Sequence, residues 1–138
     1  MDFANYYCFR LGAISRKMMR YYNNQLATYG ITIVQSWVLF YLSDQDGSSL
    51  KDIAAAVQLD SPVVTGLIDR LVKEGLVVRE EDPEDRRSLK ISLTPRGREV
   101  VAEIAPTVVE YNQRIRSIIP DNDAYAFERA LEALEREL

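Results

Sequence analysis

A chain of 138 residues with 47% apolar and 28% charged side chains has the makeup of one globular domain with a real hydrophobic core. It holds no histidine and one cysteine, Cys8, which excludes Ser-His-Asp and Cys-His nucleophile pairs, a Cys/His zinc site and an intrachain disulfide. The net charge of −4 is uneven, with +3 on residues 1–30, −3 on 31–60, +1 on 61–98 and −5 on 99–138.

The first predicted element is a long helix near residues 4–28, where Tyr7, Leu11, Ile14, Met18, Tyr22 and Leu26 recur at three- and four-residue steps. Gly30 is placed to end it. Thr32 is a cap for a second helix through about Leu42, and Asp44–Ser49 is a turn. Ser49 or Ser48 then caps a short helix, Leu50 to Val57. After Gln58-Leu59-Asp60, Ser61 is expected to cap a helix with Pro62 in its first turn, running to about Glu74 and ending at Gly75. Leu76–Glu81 and Ser88–Leu93 read as strands, the second from the alternation of Leu89, Ile91 and Leu93 with Ser88, Lys90 and Ser92. The loop Asp82–Arg87 joins them into a hairpin. Thr94-Pro95 opens a helix to about Ile119, which Pro106 should kink or interrupt. Pro120-Asp121 starts the last helix, with Phe127, Leu131, Leu134 and Leu138 on one stripe.

No apolar run reaches the length of a membrane span, and Met1-Asp-Phe-Ala-Asn lacks the basic and apolar regions of a secretory signal. The expectation is a cytoplasmic protein without a membrane partner. The six glycines form no phosphate-binding loop and no carboxylate pair carries a motif, so no cofactor, metal site or enzymatic activity is expected.

The informative unit is Leu50 to Thr94, where two short helices about a tight turn, followed by a hairpin, make a winged helix-turn-helix. In the second helix Val64, Leu67, Ile68, Leu71 and Val72 form the inner face. Ser61, Val63, Thr65, Gly66, Asp69, Arg70 and Lys73 remain near or on the outer face. Small groups near a helix N-terminus let its backbone approach base edges and phosphates. Arg86 to Arg98 carries five bases and no acid. The same order of elements also suits an ordinary surface helix, and the acidic total suits a winged-helix protein-interaction module that binds no DNA. The stripes of the first and last helices, joined by Val100, Val101, Ile104, Val108, Ile115, Ile118 and Ile119, are more apolar surface than a small winged domain can cover, which points to a partner chain.

The runs Leu50-Lys-Asp-Ile-Ala, Ser61-Pro-Val-Val-Thr-Gly-Leu-Ile-Asp-Arg-Leu-Val-Lys-Glu-Gly-Leu-Val77, Asp82-Pro-Glu-Asp-Arg-Arg87 and Leu93-Thr-Pro-Arg-Gly-Arg98, in this order, resemble the MarR family (multiple antibiotic resistance regulators). The resemblance covers essentially the whole chain. It implies a mainly α fold with a small β-hairpin wing, and a homodimer. Residues 1–30 and 99–138 would form the dimerisation region and 31–98 the winged helix-turn-helix. The implied partner is double-stranded DNA with a pseudo-palindromic operator, its half-sites roughly 10 bp apart. Ser61, Pro62, Val63, Thr65, Gly66, Arg70 and Lys73 would enter the major groove. Arg87 would enter the minor groove, Asp85 would hold an arginine in place, and Arg86 would take a phosphate or structural role. The rival for these wing residues is a loop-stabilising salt-bridge network of Asp82, Asp85, Arg86 and Arg87. Many members carry a bulky basic residue where Gly66 stands.

The resemblance also implies an effector site where the dimerisation helices meet the wing domain, so that a repressor is released by a small aromatic ligand. Tyr7, Arg10, Tyr22, Trp37, Tyr41 and Tyr111 are its candidate liners, and an aromatic wall with one arginine would suit a phenol or an aromatic carboxylate. Cys8-Phe9 followed by Tyr22 resembles the branch of the family that senses organic hydroperoxides through an N-terminal cysteine, which makes a thiol-based sensor the alternative. Tyr22 lies 14 residues beyond Cys8, about 21 Å along one helix, so in that branch's arrangement it meets the partner's thiol. Ile33, Ser36 and Trp37 depart from that branch's Tyr-Pro-Gln-Tyr run.

Overall fold

A computed structural model describes residues 1–138. The elements are α1 (Tyr7–Leu26), α2 (Ile33–Asp44), α3 (Leu50–Val57), α4 (Ser61–Lys73), β1 (Val77–Glu81), β2 (Leu89–Leu93), α5 (Pro95–Ile118) and α6 (Asp121–Glu137), with 3-10 turns at Phe3–Asn5 and Ala27–Tyr29. This is the mainly α fold with a β-hairpin wing that the sequence predicts. Two compact units are formed, Met1–Ile104 and Ala105–Leu138. No single helix is long and apolar enough to cross a membrane.

In the first unit, local chemistry sets each boundary. Gly30 turns the chain after α1 with φ 71°. Thr32 Oγ1 accepts from the Gln35 amide at 3.2 Å while Gln35 Oε1 accepts from the Thr32 amide at 2.9 Å, a capping box that starts α2. Asn23 Oδ1 accepts from the Ile33 amide at 2.7 Å and ties α1 to that start. Ser49 Oγ caps α3 through the Asp52 amide at 3.1 Å. The turn into α4 passes through Gln58 at φ 57°, a left-handed conformation with no glycine to ease it.

One sequence expectation is corrected and another, that Pro106 would kink or interrupt its helix, is narrowed. Ser61 is the first residue of α4 and not its cap: Asp60 carries the extended backbone (φ −66°, ψ 147°), and its carbonyl takes the first helical bond, from the Val64 amide at 3.0 Å. Pro106 does not interrupt its helix, since α5 runs unbroken from Pro95 to Ile118. The carbonyl of Ala102 loses its usual donor there, and because Ala102 is exposed, water can take that place.

The wing pairs β1 with β2 in the antiparallel register Val77↔Leu93 to Glu81↔Leu89. The segment read as a plain turn adds a third rung: the Ile91 amide donates to the Ser48 carbonyl at 2.8 Å, and the Gly47 amide to the Ile91 carbonyl at 3.0 Å. Asp46 braces the base of the wing, accepting from the Leu93 amide at 2.9 Å and from Arg98 Nη2 at 2.7 Å. Thr94 Oγ1 donates to the Gly75 carbonyl at 2.6 Å and accepts from the Gly97 amide at 2.9 Å, so it joins the end of α4 to the start of α5. A Cβ on Gly97 would lie 2.1 Å from the Leu76 carbonyl oxygen, which explains the glycine of Leu-Thr-Pro-Arg-Gly.

The core collects one face from each element: Val38, Leu39 and Leu42 of α2, Ile53 of α3, Val64, Ile68 and Leu71 of α4, Val77 and Ile91 of the wing, and Val100 and Ile104 of α5. Each is at most 2% exposed. By contrast α1 buries Leu26 alone, and the second unit buries Ala124 alone.

Candidate nucleic-acid interface

The helix α4 is held from behind by Val64, Ile68 and Leu71 and stands between α3 and β1. Its outer face carries Ser61, Pro62, Val63, Thr65, Gly66, Asp69, Arg70 and Lys73, all exposed. No side chain caps its N-terminus, so the Ser61 and Val63 amides are left without helical or side-chain partners. Thr65 Oγ1 is turned back to the Ser61 carbonyl at 2.9 Å. The Asp69 carboxylate is paired with Arg79 of β1, which fastens the root of the wing to α4. Arg70 and Lys73 lie at the C-terminal end of the helix and enter no ion pair.

The wing tip is shaped by its carboxylates. Asp82 Oδ1 accepts from the Glu84 amide at 2.9 Å, Asp85 Oδ1 from the Arg87 amide at 3.0 Å, and Asp85 Oδ2 from Ser88 Oγ at 3.3 Å. Backbone bonds from the Asp82 amide to Ser88 O (3.1 Å) and from the Ser88 amide to Asp85 O (3.0 Å) close the loop. Asp85 therefore orients the backbone that carries Arg87. No guanidinium lies within ion-pair distance of it, and the arginine it holds is held through the Arg87 backbone amide. Nor do the four charges form the salt-bridge network: Asp82 faces Lys90 Nζ at 3.9 Å, and Arg86 and Arg87 are exposed with no carboxylate partner.

A hollow of about 380 Å³ lies between wing and helices, lined by Ser49, Leu50, Lys51, Ser61, Arg87, Ser88 and Leu89. It brings Arg87 beside the first turns of both α3 and α4. Lys51 and Ser49 were not singled out from the sequence, although Lys51 is the one base in the otherwise acidic residues 31–60.

The effector candidates of the first unit line more than one hollow. Trp37 and Tyr41 line a hollow of about 390 Å³ with Phe40, Ala56 and Val57, where α2 meets α3. Tyr7 and Arg10 line another, of about 420 Å³, with Asn5 and Tyr6 at the start of α1. Tyr22 stacks edge-on to Tyr21 at 6.5 Å, and burial, with Tyr21 second, pushes its phenol above the ordinary tyrosine range. Tyr111 belongs to the second unit. Helix periodicity places such residues on a face but does not say which face of a neighbour completes the cavity. Cys8 is exposed in the first turn of α1. That helix is continuous from Tyr7 to Leu26, which keeps Tyr22 away from the thiol of its own chain.

A family model described as "MarR family" matches residues 29–88. The HTH-type transcriptional regulator SarZ of Staphylococcus epidermidis is 33% identical over 109 residues, 76% of this chain and 74% of that one. The organic hydroperoxide resistance transcriptional regulator of Bacillus subtilis is 33% identical over 112 residues, 79% of this chain and 76% of that one. Among solved structures, the S. aureus MepR–DNA complex aligns with TM-score 0.90 at 28% identity over 96% of this chain and 98% of that one. Bordetella bronchiseptica BpsR, described with regulation of its DNA binding by 6-hydroxynicotinic acid, aligns with TM-score 0.88 at 27% identity over 98% and 96%.

Proposed function

The chain belongs to the MarR family of winged-helix transcriptional regulators, and from that membership we propose that it is a homodimeric, sequence-specific binder of double-stranded DNA that represses transcription until a small aromatic ligand releases it. The observation that carries the reading is the unpaired Arg86–Arg87 tip, preshaped by Asp82 and Asp85 and set beside the uncapped N-terminus of α4. Arg87 enters the narrow, electronegative minor groove. Ser61, Pro62, Val63, Thr65 and Gly66 face the major groove, and Arg86, Arg70 and Lys73 meet phosphates. That MepR is solved with DNA supports the assignment of this face. The net charge of −4 does not oppose it, because Arg86 to Arg98, from the wing tip to the start of α5, holds five bases and no acid while residues 99–138 carry −5.

The second unit and α1 supply the dimer. Tyr7, Ile118 and Tyr125 are 79%, 76% and 74% exposed, and Leu11, Ile14, Phe127 and Leu134 are 40–45% exposed. A second copy covers these side chains in each unit, and two-fold symmetry then calls for a pseudo-palindromic operator with half-sites about 10 bp apart. The hollow of Trp37, Phe40 and Tyr41, where α2 meets α3, is of a size to take a small aromatic ligand. Such a ligand lowers DNA affinity if it binds the DNA-incompetent arrangement more tightly. The regulation of BpsR by 6-hydroxynicotinic acid supports a ligand of this class.

The test is a gel shift on operator-bearing duplex with Arg87→Ala, at several salt concentrations. The variant should lose about tenfold or more in affinity, and the wild-type should weaken steeply with salt, because releasing phosphate counterions into a saltier solution gains less entropy. Unchanged binding by Arg87→Ala removes the wing assignment. No retention of any duplex at low salt means a protein-interaction module instead.

A further inference from the structure

The first half of the outer face of α4 is made of carbon. At 3.6 residues per turn, Gly66 lies opposite the buried row of Val64, Ile68 and Leu71, with Pro62 one turn before it. Val63, 50% exposed, and Thr65 flank them. The Thr65 hydroxyl donates its one proton to the Ser61 carbonyl at 2.9 Å, so it has no donor left for a base edge and its methyl is the apolar group it offers. The Ser61 side lines the hollow shared with Lys51 and Arg87, and the Asp69 carboxylate is committed to Arg79. Nothing inside the chain calls for glycine at position 66: its φ is not positive, and no atom lies within 4 Å of a Cβ built there. A glycine in a helix interior weakens the helix, so the reason for it lies outside the chain.

Building on the DNA-binding reading above, we propose that this half of α4 recognises thymine C5-methyl groups in the major groove by apolar contact, with Gly66 as the point of closest approach. The thymine methyl is the one apolar group that the major groove displays, while guanine, adenine and cytosine present donors and acceptors there. A carbon face set against those polar edges would leave them without partners, which selects against them. Arg70 and Lys73, one to two turns further along, are the polar residues of this face and reach backbone phosphates.

The experiment selects duplexes of about 24 bp from a randomised pool with the full chain. The enriched duplex is then remade with each dT replaced singly by dU, and affinities are read by fluorescence anisotropy. One buried methyl corresponds to about fourfold in affinity. At least one dT→dU change in each half-site should therefore weaken binding about three- to fivefold, and Thr65→Ser or Val63→Ala should abolish one of those penalties. Gly66→Ala should fold at least as stably and bind the enriched duplex about fivefold more weakly, whereas equal affinity would overturn the close approach. Tolerance of dU everywhere, within about twofold, overturns methyl recognition and leaves the DNA-binding reading standing. Penalties that persist unchanged in both Thr65→Ser and Val63→Ala also overturn it, because the methyls would then act through DNA shape. Failure to enrich any duplex overturns both readings.

Discussion

Leu39 of α2 and Leu134 of α6 both sit on the apolar stripe of an amphipathic helix, yet Leu39 is 0% exposed and Leu134 is 42% exposed. The contrast extends to their surroundings. Residues 31–104 pack α2, α3, α4, the wing and the start of α5 into a closed core, whereas α1 buries Leu26 and the second unit buries Ala124. An apolar stripe records that a helix has a face to cover. Whether the same chain or a second copy covers it is a separate matter, and here the two regions divide along that line.

The sharpest way to break the comparison is truncation of the two leucines. Leu39→Ala should cost about 3 kcal/mol in urea unfolding, from lost burial and the cavity left behind. Leu134→Ala in dilute, dissociated protein should cost under about 1 kcal/mol. Equal costs in dilute protein would mean that the flanking helices are as self-sufficient as the core. Next in size is Ile118→Glu, a change at a side chain 76% exposed in the single chain. A monomer would scarcely register it, but a homodimer that buries this face should dissociate about tenfold or more readily, followed by sedimentation equilibrium and by a parallel fall in operator affinity. An unchanged sedimentation profile would remove the residue from the interface.

The smallest expected effect concerns how far α1 shares in the packing. Burial raises the Tyr22 phenol above its ordinary value, so the unfolded chain releases this proton first, near pH ~10. Stability therefore falls as pH climbs past that point, and the contribution is fully present below it. Melting curves at pH ~8 and ~11 should show a smaller alkaline loss for Tyr22→Phe than for the wild-type. An identical loss in the two proteins would show Tyr22 to be as solvated as any free tyrosine.

Much of the winged helix is legible because its signals are local. Thr32 marks the start of α2, Gly30 and Gly75 supply the left-handed turns that end their helices, and Leu89, Ile91 and Leu93 alternate as a half-buried strand must. Arg86 and Arg87 stand out as bases with no acid until Glu99. Other features depend on atoms far apart in the chain. Asp46 reads as an ordinary turn residue until Leu93 and Arg98, 47 and 52 positions away, are placed against it. Lys51 gains its place beside Arg87 only once the wing folds back over α3. Even the shift of the α4 cap from Ser61 to Asp60 turns on which carbonyl meets the Val64 amide.

From the order of residues alone came the list of elements, the family likeness and the polar tip of the wing, since periodicity, capping and charge are properties of neighbours within a few positions of one another. Tertiary structure alone decided that Asp85 shapes backbone instead of holding a guanidinium, that Trp37 and Tyr41 part company with Tyr7 and Arg10, and that Thr65 turns its hydroxyl away from the outer face of α4. The physical reason is common to all three. A side chain's chemistry belongs to its residue type, but what it can still offer a ligand is whatever its neighbours in space have left uncommitted.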